Sequence, residues 1–162
     1  MGTNEFTDLI RRDKERHLLA AVNASENSKR AVMYLADFFG AYKDIFITLL
    51  TIIAEPSEDF FATDAERRQW VTDEEIKMQK ILKGYKDILL GAGFTEKQIN
   101  VRLSVRRCVS VADEILREQE NLRCCIVAVG RRGLSHNEEF VFGSISNRIL
   151  HRARNCAVMV IE

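Results

Sequence analysis

From His17 onward the chain alternates short apolar runs with longer amphipathic ones, and that alternation restricts its fold more than any other feature. Residues 17–22 (HLLAAV) are almost wholly apolar; residues 25–39 then place Val32, Leu35, Ala36 and Phe39 on one helical face, with Gly40 as a stop signal. Residues 44–53 (DIFITLLTII) form the β-branched, apolar run expected of a strand covered on both faces. Residues 54–64 hold the only proline and read as a loop. From about residue 65 to 90 a helical stripe runs through Val71, Met78, Ile81, Leu82, Tyr85, Ile88 and Leu89, broken by Glu75 and ended by Gly91-Ala92-Gly93.

The next stretch changes period. Ile99, Val101, Leu103 and Val105 alternate with polar residues, which predicts a strand covered on one face only, at a sheet edge. Ser110 and Asp113 have the spacing of a capping box and open a helix through Leu122. Residues 124–130 (CCIVAVG) form another buried strand, residues 144–154 a helix with Ile145, Ile149, Leu150 and Ala153 on one side, and residues 156–161 (CAVMVI) a closing strand. Strands that alternate with helices make a parallel sheet, because crossover helices join parallel strands. The predicted fold is therefore a single-domain α/β protein, an open parallel five-stranded sheet with helices on both faces.

Composition narrows the partners. Lys+Arg and Asp+Glu number 24 each, so no global field draws the chain to nucleic acid or to anionic membranes, and any anion site must be local. No apolar run approaches the length of a membrane span. Residues 1–16 read as a polar extension with a short Phe6, Leu9 and Ile10 cluster, without the apolar core of a signal peptide; a cytoplasmic protein is the expectation. Cys108, Cys124, Cys125 and Cys156 show no CxxC spacing and lie mostly in or beside apolar runs, so they are read as buried free thiols. His17, His136 and His151 form no recognisable ligand set, and no metal site is expected.

The segment 129–146 (VGRRGLSHNEEFVFGSIS) concentrates three of the eight glycines. It leaves a predicted strand and enters a predicted helix, the place where open α/β sheets bind ligands. Gly130 and Gly133 would let backbone amides approach an anion, and Gly143-Ser144 would stand at a helix start that favours phosphate. The competing reading is that Gly130 only lets the strand turn and Gly143-Ser144 only caps a helix. The spacing is neither GxGxxG nor a Walker loop, and by itself it does not decide between them. Arg131-Arg132, between the first two glycines, are either a cationic clamp for polyphosphate or solvated loop residues.

The pattern Gly130-x2-Gly133-x9-Gly143-Ser144, set within IVAVGRRGLS and FGSISNRILHRARNCAVMVIE, closely resembles the nucleotide-binding signature of the universal stress protein family. The likeness extends to LLAAVNASENSKRAVMYLA and covers roughly residues 17–162, which it marks as one nucleotide-binding domain. It implies a Rossmann-like sheet of order 3-2-1-4-5 and, with the glycine pattern intact, binding of ATP (or AMP or ADP), with or without Mg2+. By matching position, Gly130, Gly133, Gly143 and Ser144 would hold ribose and phosphates, with Ile145 behind them. Ile52, Ala21 and Val129 would face the adenine. Asn23 stands where the family usually has Asp, which loses a charge and adds a donor. Cys125 replaces a common acidic residue and Ala157 a common proline.

The resemblance also implies a homodimer formed through the last strand, residues 157–162. Nothing supplies a catalytic set: Glu138-Glu139 read as a solvated pair, and at most slow ATP hydrolysis is expected. Two functions follow: a nucleotide-responsive dimeric regulator in a stress response, or a dimeric scaffold of the same fold that has lost nucleotide binding through Asn23. An adenylating or flavin enzyme of related architecture fits less well, because the chain lacks HIGH-like and SGGxDS-like motifs.

Overall fold

A computed structural model describes residues 16–131 and 145–162. Five strands, β1 (Arg16–Ala21), β2 (Ile45–Ala54), β3 (Ile99–Arg106), β4 (Ile126–Gly130) and β5 (Ala157–Ile161), form one sheet in the order β3-β2-β1-β4-β5. Every adjacent pair is parallel. The connecting helices are α1 (Glu26–Phe39), α2 (Asp64–Gly91), α3 (Val111–Leu122) and α4 (Ile145–Arg152). The sheet order is the one the family resemblance implied, and the helices lie where the sequence pattern predicted them.

Period-two alternation divides the buried residues between the two faces. Leu18 and Ala20 of β1, with Ile47 and Leu49 of β2, pack against Val32 and Leu35 of α1 and Leu82 and Leu89 of α2. Leu19, Leu50, Val127 and Val129 turn the other way, against Ala112 and Ile115 of α3 and Ile149 of α4. Leu19, Leu35, Ile47, Leu49, Leu89 and Ile149 are completely shielded from solvent. Each such side chain contributes about 2–3 kcal/mol through apolar burial. One polar group inside this core is satisfied locally: Thr48 Oγ1 lies 2.6 Å from His17 Nε2 on the neighbouring strand.

Helix ends follow side-chain chemistry. Ser25 Oγ accepts from the Ser28 amide at 3.1 Å and caps α1; Thr63 Oγ1 does the same for the Glu66 amide at 3.2 Å and caps α2. Ser110 Oγ accepts from the Asp113 amide at 3.3 Å, but only this half of the expected capping box is seen. The Asp113 carboxylate turns to α4 instead, where Arg152 reaches it at 2.8 Å and Arg148 at 3.1 Å. A pair of guanidinium groups competes better for a carboxylate than one backbone amide does. Residues 54–64 are not wholly irregular, since Glu58–Phe60 form a 3-10 turn.

β3 is an edge strand, as its pattern predicted, but its burial does not alternate cleanly. Ile99 is buried and Leu103 packs against the α2 side, whereas Val101 is 39% exposed. On the other side, Arg102 and Arg106 pair with Glu118 and Glu114 of α3, so long polar side chains rather than apolar ones cover that face. The thiols also differ from expectation. All four cysteines are free, but only Cys124 is buried; Cys108 and Cys156 are half-buried and Cys125 is exposed.

Candidate functional site

The carboxyl ends of β1, β2 and β4 lie side by side, with Ala21 opposite both Leu50 and Val129 in the strand register. Ala21, Ile52, Val129 and Ile145 therefore belong to one apolar cluster on the α3/α4 face. Val129 is 3% exposed, so packing and the flanking strands β1 and β5 cover it. Ala21, Ile52 and Ile145 are partly exposed at the rim.

Asn23, just beyond β1, organises the turn into α1. Its carboxamide oxygen accepts from the Ser25 amide and from the Ser28 hydroxyl, both at 2.9 Å, and its backbone amide donates to Ser28 Oγ at 2.9 Å. This is an Asx-type turn, in which a short polar side chain replaces a backbone partner. Two more bonds anchor the same turn. Thr51 Oγ1 donates to the Val22 carbonyl at 2.8 Å, and Tyr85 Oη donates to the Asn23 carbonyl at 2.7 Å. Burial, and secondarily the charge of Glu26, raises the Tyr85 pKa, so the phenol remains a donor at neutral pH.

Gly130 ends β4 against the first turn of α1. A Cβ there would lie 3.0 Å from the backbone carbon and oxygen of Asn27 and 3.2 Å from its Cβ. Close packing against α1 alone thus favours a glycine at 130, before any ligand is considered.

Past Gly130, the Arg131 amide extends the ladder to the Ile161 carbonyl at 2.8 Å, and its guanidinium pairs with Glu162. The Arg131 side chain is half-exposed in this ion pair beside the end of β5. The Ser146 hydroxyl donates to the Arg131 carbonyl at 3.3 Å. One hydrogen bond therefore joins the two sides of the glycine-bearing segment at the head of α4. Arg132, Gly133, Gly143 and Ser144 lie outside the described residues.

Ser28, Thr51, Tyr85 and Ser146 are positioning residues that the sequence reading missed. The Ser25-x-x-Ser28 spacing was a usable signal, whereas Tyr85 is 62 residues from Asn23 and looked only like part of the α2 stripe. A separate open cavity of about 380 Å³ lies between α1 and α2, lined by Ser25, Glu26, Lys29, Ile81, Gly84 and Tyr85 among others. Among the described residues, none of the sequence-predicted site residues lines it.

A parallel sheet of order 3-2-1-4-5, with polar turns gathered at the carboxyl ends of its central strands, defines a Rossmann-like α/β protein. The profile of the universal stress protein family matches residues 15–162, and the chain belongs to that family. Solved structures with the same fold include a universal stress protein in complex with cAMP, at 22% identity and TM-score 0.67, covering 91% of this chain and 97% of that one. A universal stress protein from Archaeoglobus fulgidus in complex with dAMP is 16% identical, with TM-score 0.63 and coverage of 90% and 96%. A family protein from Arabidopsis thaliana with AMP bound is 20% identical, with TM-score 0.64 and coverage of 90% of each chain. The comparison with curated proteins gives no match.

Proposed function

We propose that this protein binds an adenine nucleotide, ATP foremost, at the carboxyl ends of β1, β2 and β4, and acts as a nucleotide-responsive dimeric regulator. The observation that carries this reading is the convergence of Ala21, Ile52, Val129 and Ile145 in one cluster beside a glycine-bearing segment whose two sides are joined by the Ser146–Arg131 bond. The apolar rim suits a purine face, and the glycine segment suits the phosphates. That structures of the same fold carry cAMP, dAMP or AMP supports the adenine part of the reading. Gly130, Gly133, Gly143 and Ser144 would cradle ribose and phosphates, and Arg132 would offer positive charge. Mg2+ would accompany the phosphates, supplying charge neutralisation there.

The dimer in this reading forms through β5. This strand is the sheet edge opposite β3, and Val158, Met159 and Val160 are only partly buried. An apolar edge strand with unpaired backbone groups is a template for a second copy.

One observation favours the scaffold alternative. The Asn23 oxygen already accepts two hydrogen bonds from its own turn, which leaves it less free to engage a ribose. Calorimetric titration with AMP, ADP and ATP, each with and without Mg2+, separates the readings. Saturable binding of one adenine nucleotide per chain supports the regulator. No heat with any of them, from a folded dimer, supports the scaffold.

A further inference from the structure

The opposite, amino-terminal end of the sheet brings two thiols together. β4 and β5 are parallel with Ile126 opposite Ala157, and the Ala157 amide donates to the Cys125 carbonyl at 2.9 Å. Continued back by one residue, that register sets Cys125 opposite Cys156. Opposed residues on neighbouring parallel strands point to the same face, and strand spacing is about 4.8 Å. A disulfide needs Cα atoms about 4.4–6.8 Å apart. The face is the one shared by Val127, Val129, Val158 and Val160, and Cys156 packs with that cluster.

Access is graded along this group. Cys125 is exposed, with its Sγ 3.3 Å from the His17 carbonyl oxygen, and Cys156 is half-buried, which raises its thiol pKa above the ordinary value. Cys124, one residue earlier, is 1% exposed, and burial pushes its thiol up to about 12. It is consequently unreactive near neutral pH, because the thiolate is the nucleophile. Among the described residues, no group of three or more His, Cys, Asp or Glu is placed to hold a metal ion, so the pair is better suited to two-thiol chemistry than to coordination.

We infer that Cys125 and Cys156 form an oxidative modification site, a dithiol that a low-molecular-weight disulfide of the glutathione type converts to an intrachain disulfide. The Cys125 thiolate attacks one sulfur of the oxidant, forming a mixed disulfide and expelling one thiolate. The Cys156 thiolate then attacks the Cys125 sulfur, closing the protein disulfide and expelling the second thiolate. The two electrons pass to the oxidant, and the two protons lost by the cysteines end on its two thiols. The bond would fasten the edge strand β5 to β4 and close a covalent loop around the glycine-bearing segment. The site lies at the other end of the strands from the proposed nucleotide site and stands independently of it.

The full chain is equilibrated at mildly alkaline pH with graded ratios of reduced to oxidised glutathione, then alkylated and digested with trypsin. Cleavage after Arg123, Arg131 and Arg154 releases residues 124–131 and 155–162 as separate peptides. The expected result is a species linking these two peptides, lighter by two hydrogens, that grows with the oxidised fraction. It is lost in Cys125→Ser and in Cys156→Ser and retained in Cys124→Ala. Full alkylation of both peptides at every ratio would overturn the inference. So would a cross-link that survives Cys125→Ser, or a glutathione adduct on Cys125 that never resolves to the cross-link.

Discussion

Tyr85, deep in the long helix α2, donates a 2.7 Å hydrogen bond from its phenol to the backbone carbonyl of Asn23 at the end of β1. The helix thereby fixes the turn from which α1 and the candidate site both start. Tyr85→Phe keeps the packing and removes the bond. It should cost about 1 kcal/mol, read as a lower urea midpoint with unchanged slope. An unchanged midpoint would mean that packing alone holds the turn.

The raised pKa values set an alkaline limit. Tyr85 and Cys124 both titrate later in the folded chain than in the unfolded one, Tyr85 above its ordinary 10.0 and Cys124 at about 12 rather than 9.0, each chiefly through burial. Above the unfolded values the unfolded chain holds fewer protons, so stability falls as pH rises, starting near pH 9 for the thiol. Below that pH these groups leave stability unaffected. Cys124→Ala should therefore flatten the loss of denaturation midpoint between mildly and strongly alkaline buffers, and parallel curves for both proteins would count against this cause.

Gly130 is held between β4 and the backbone of Asn27. Gly130→Ala places a methyl about 3.0 Å from that backbone and should destabilise the fold by about 1–3 kcal/mol, because neither strand nor helix end can yield cheaply. Gly133→Val and Gly143→Val test something different. On the proposed reading they weaken nucleotide binding at least about tenfold and leave the melting temperature of the nucleotide-free protein near that of the parent, since the phosphate and not the core is displaced. If both bind ATP as the parent does, the cradle is wrong.

Asn23 separates stability from affinity. Asn23→Ala deletes an acceptor used by two groups and should cost about 1–2 kcal/mol. Asn23→Asp keeps both hydrogen bonds, restores the acidic residue usual in the resembling signature, and should tighten nucleotide binding in a titration. A weaker complex would indicate a pocket adapted to the carboxamide.

The edge of β5 gives a test of the dimer. The Ala157 amide and the Ile161 carbonyl both bond to the β4 side, so by alternation Val158 and Val160 direct their backbone groups outward. Val160→Pro removes an outward donor and spares the inward ladder. It should shift sedimentation toward the monomer while the circular dichroism stays that of the parent.

The sheet order came from the family resemblance, while the residue patterns showed which runs are covered on both faces and which is an edge: the continuous run of residues 44–53 is interior, and the alternating run of residues 99–105 is an edge. The glycine segment was legible as a place in the fold, though part of its signal has another cause. Gly130 answers to the backbone of Asn27, a packing requirement separate from any phosphate. Local reading failed where partners are distant. Asp113 looked like the acidic half of a capping box and is claimed by Arg148 and Arg152, more than thirty residues on. Arg131 is paired with Glu162, and Tyr85 with Asn23, through contacts that only the folded sheet creates.

The most direct test of the central claim is to denature freshly purified protein that has never met added nucleotide, and to identify what it releases by chromatography and mass spectrometry. The account predicts an adenine nucleotide in near-stoichiometric amount. A protein that releases none, and that afterwards fails to bind millimolar MgATP, would contradict it and leave the dimeric scaffold.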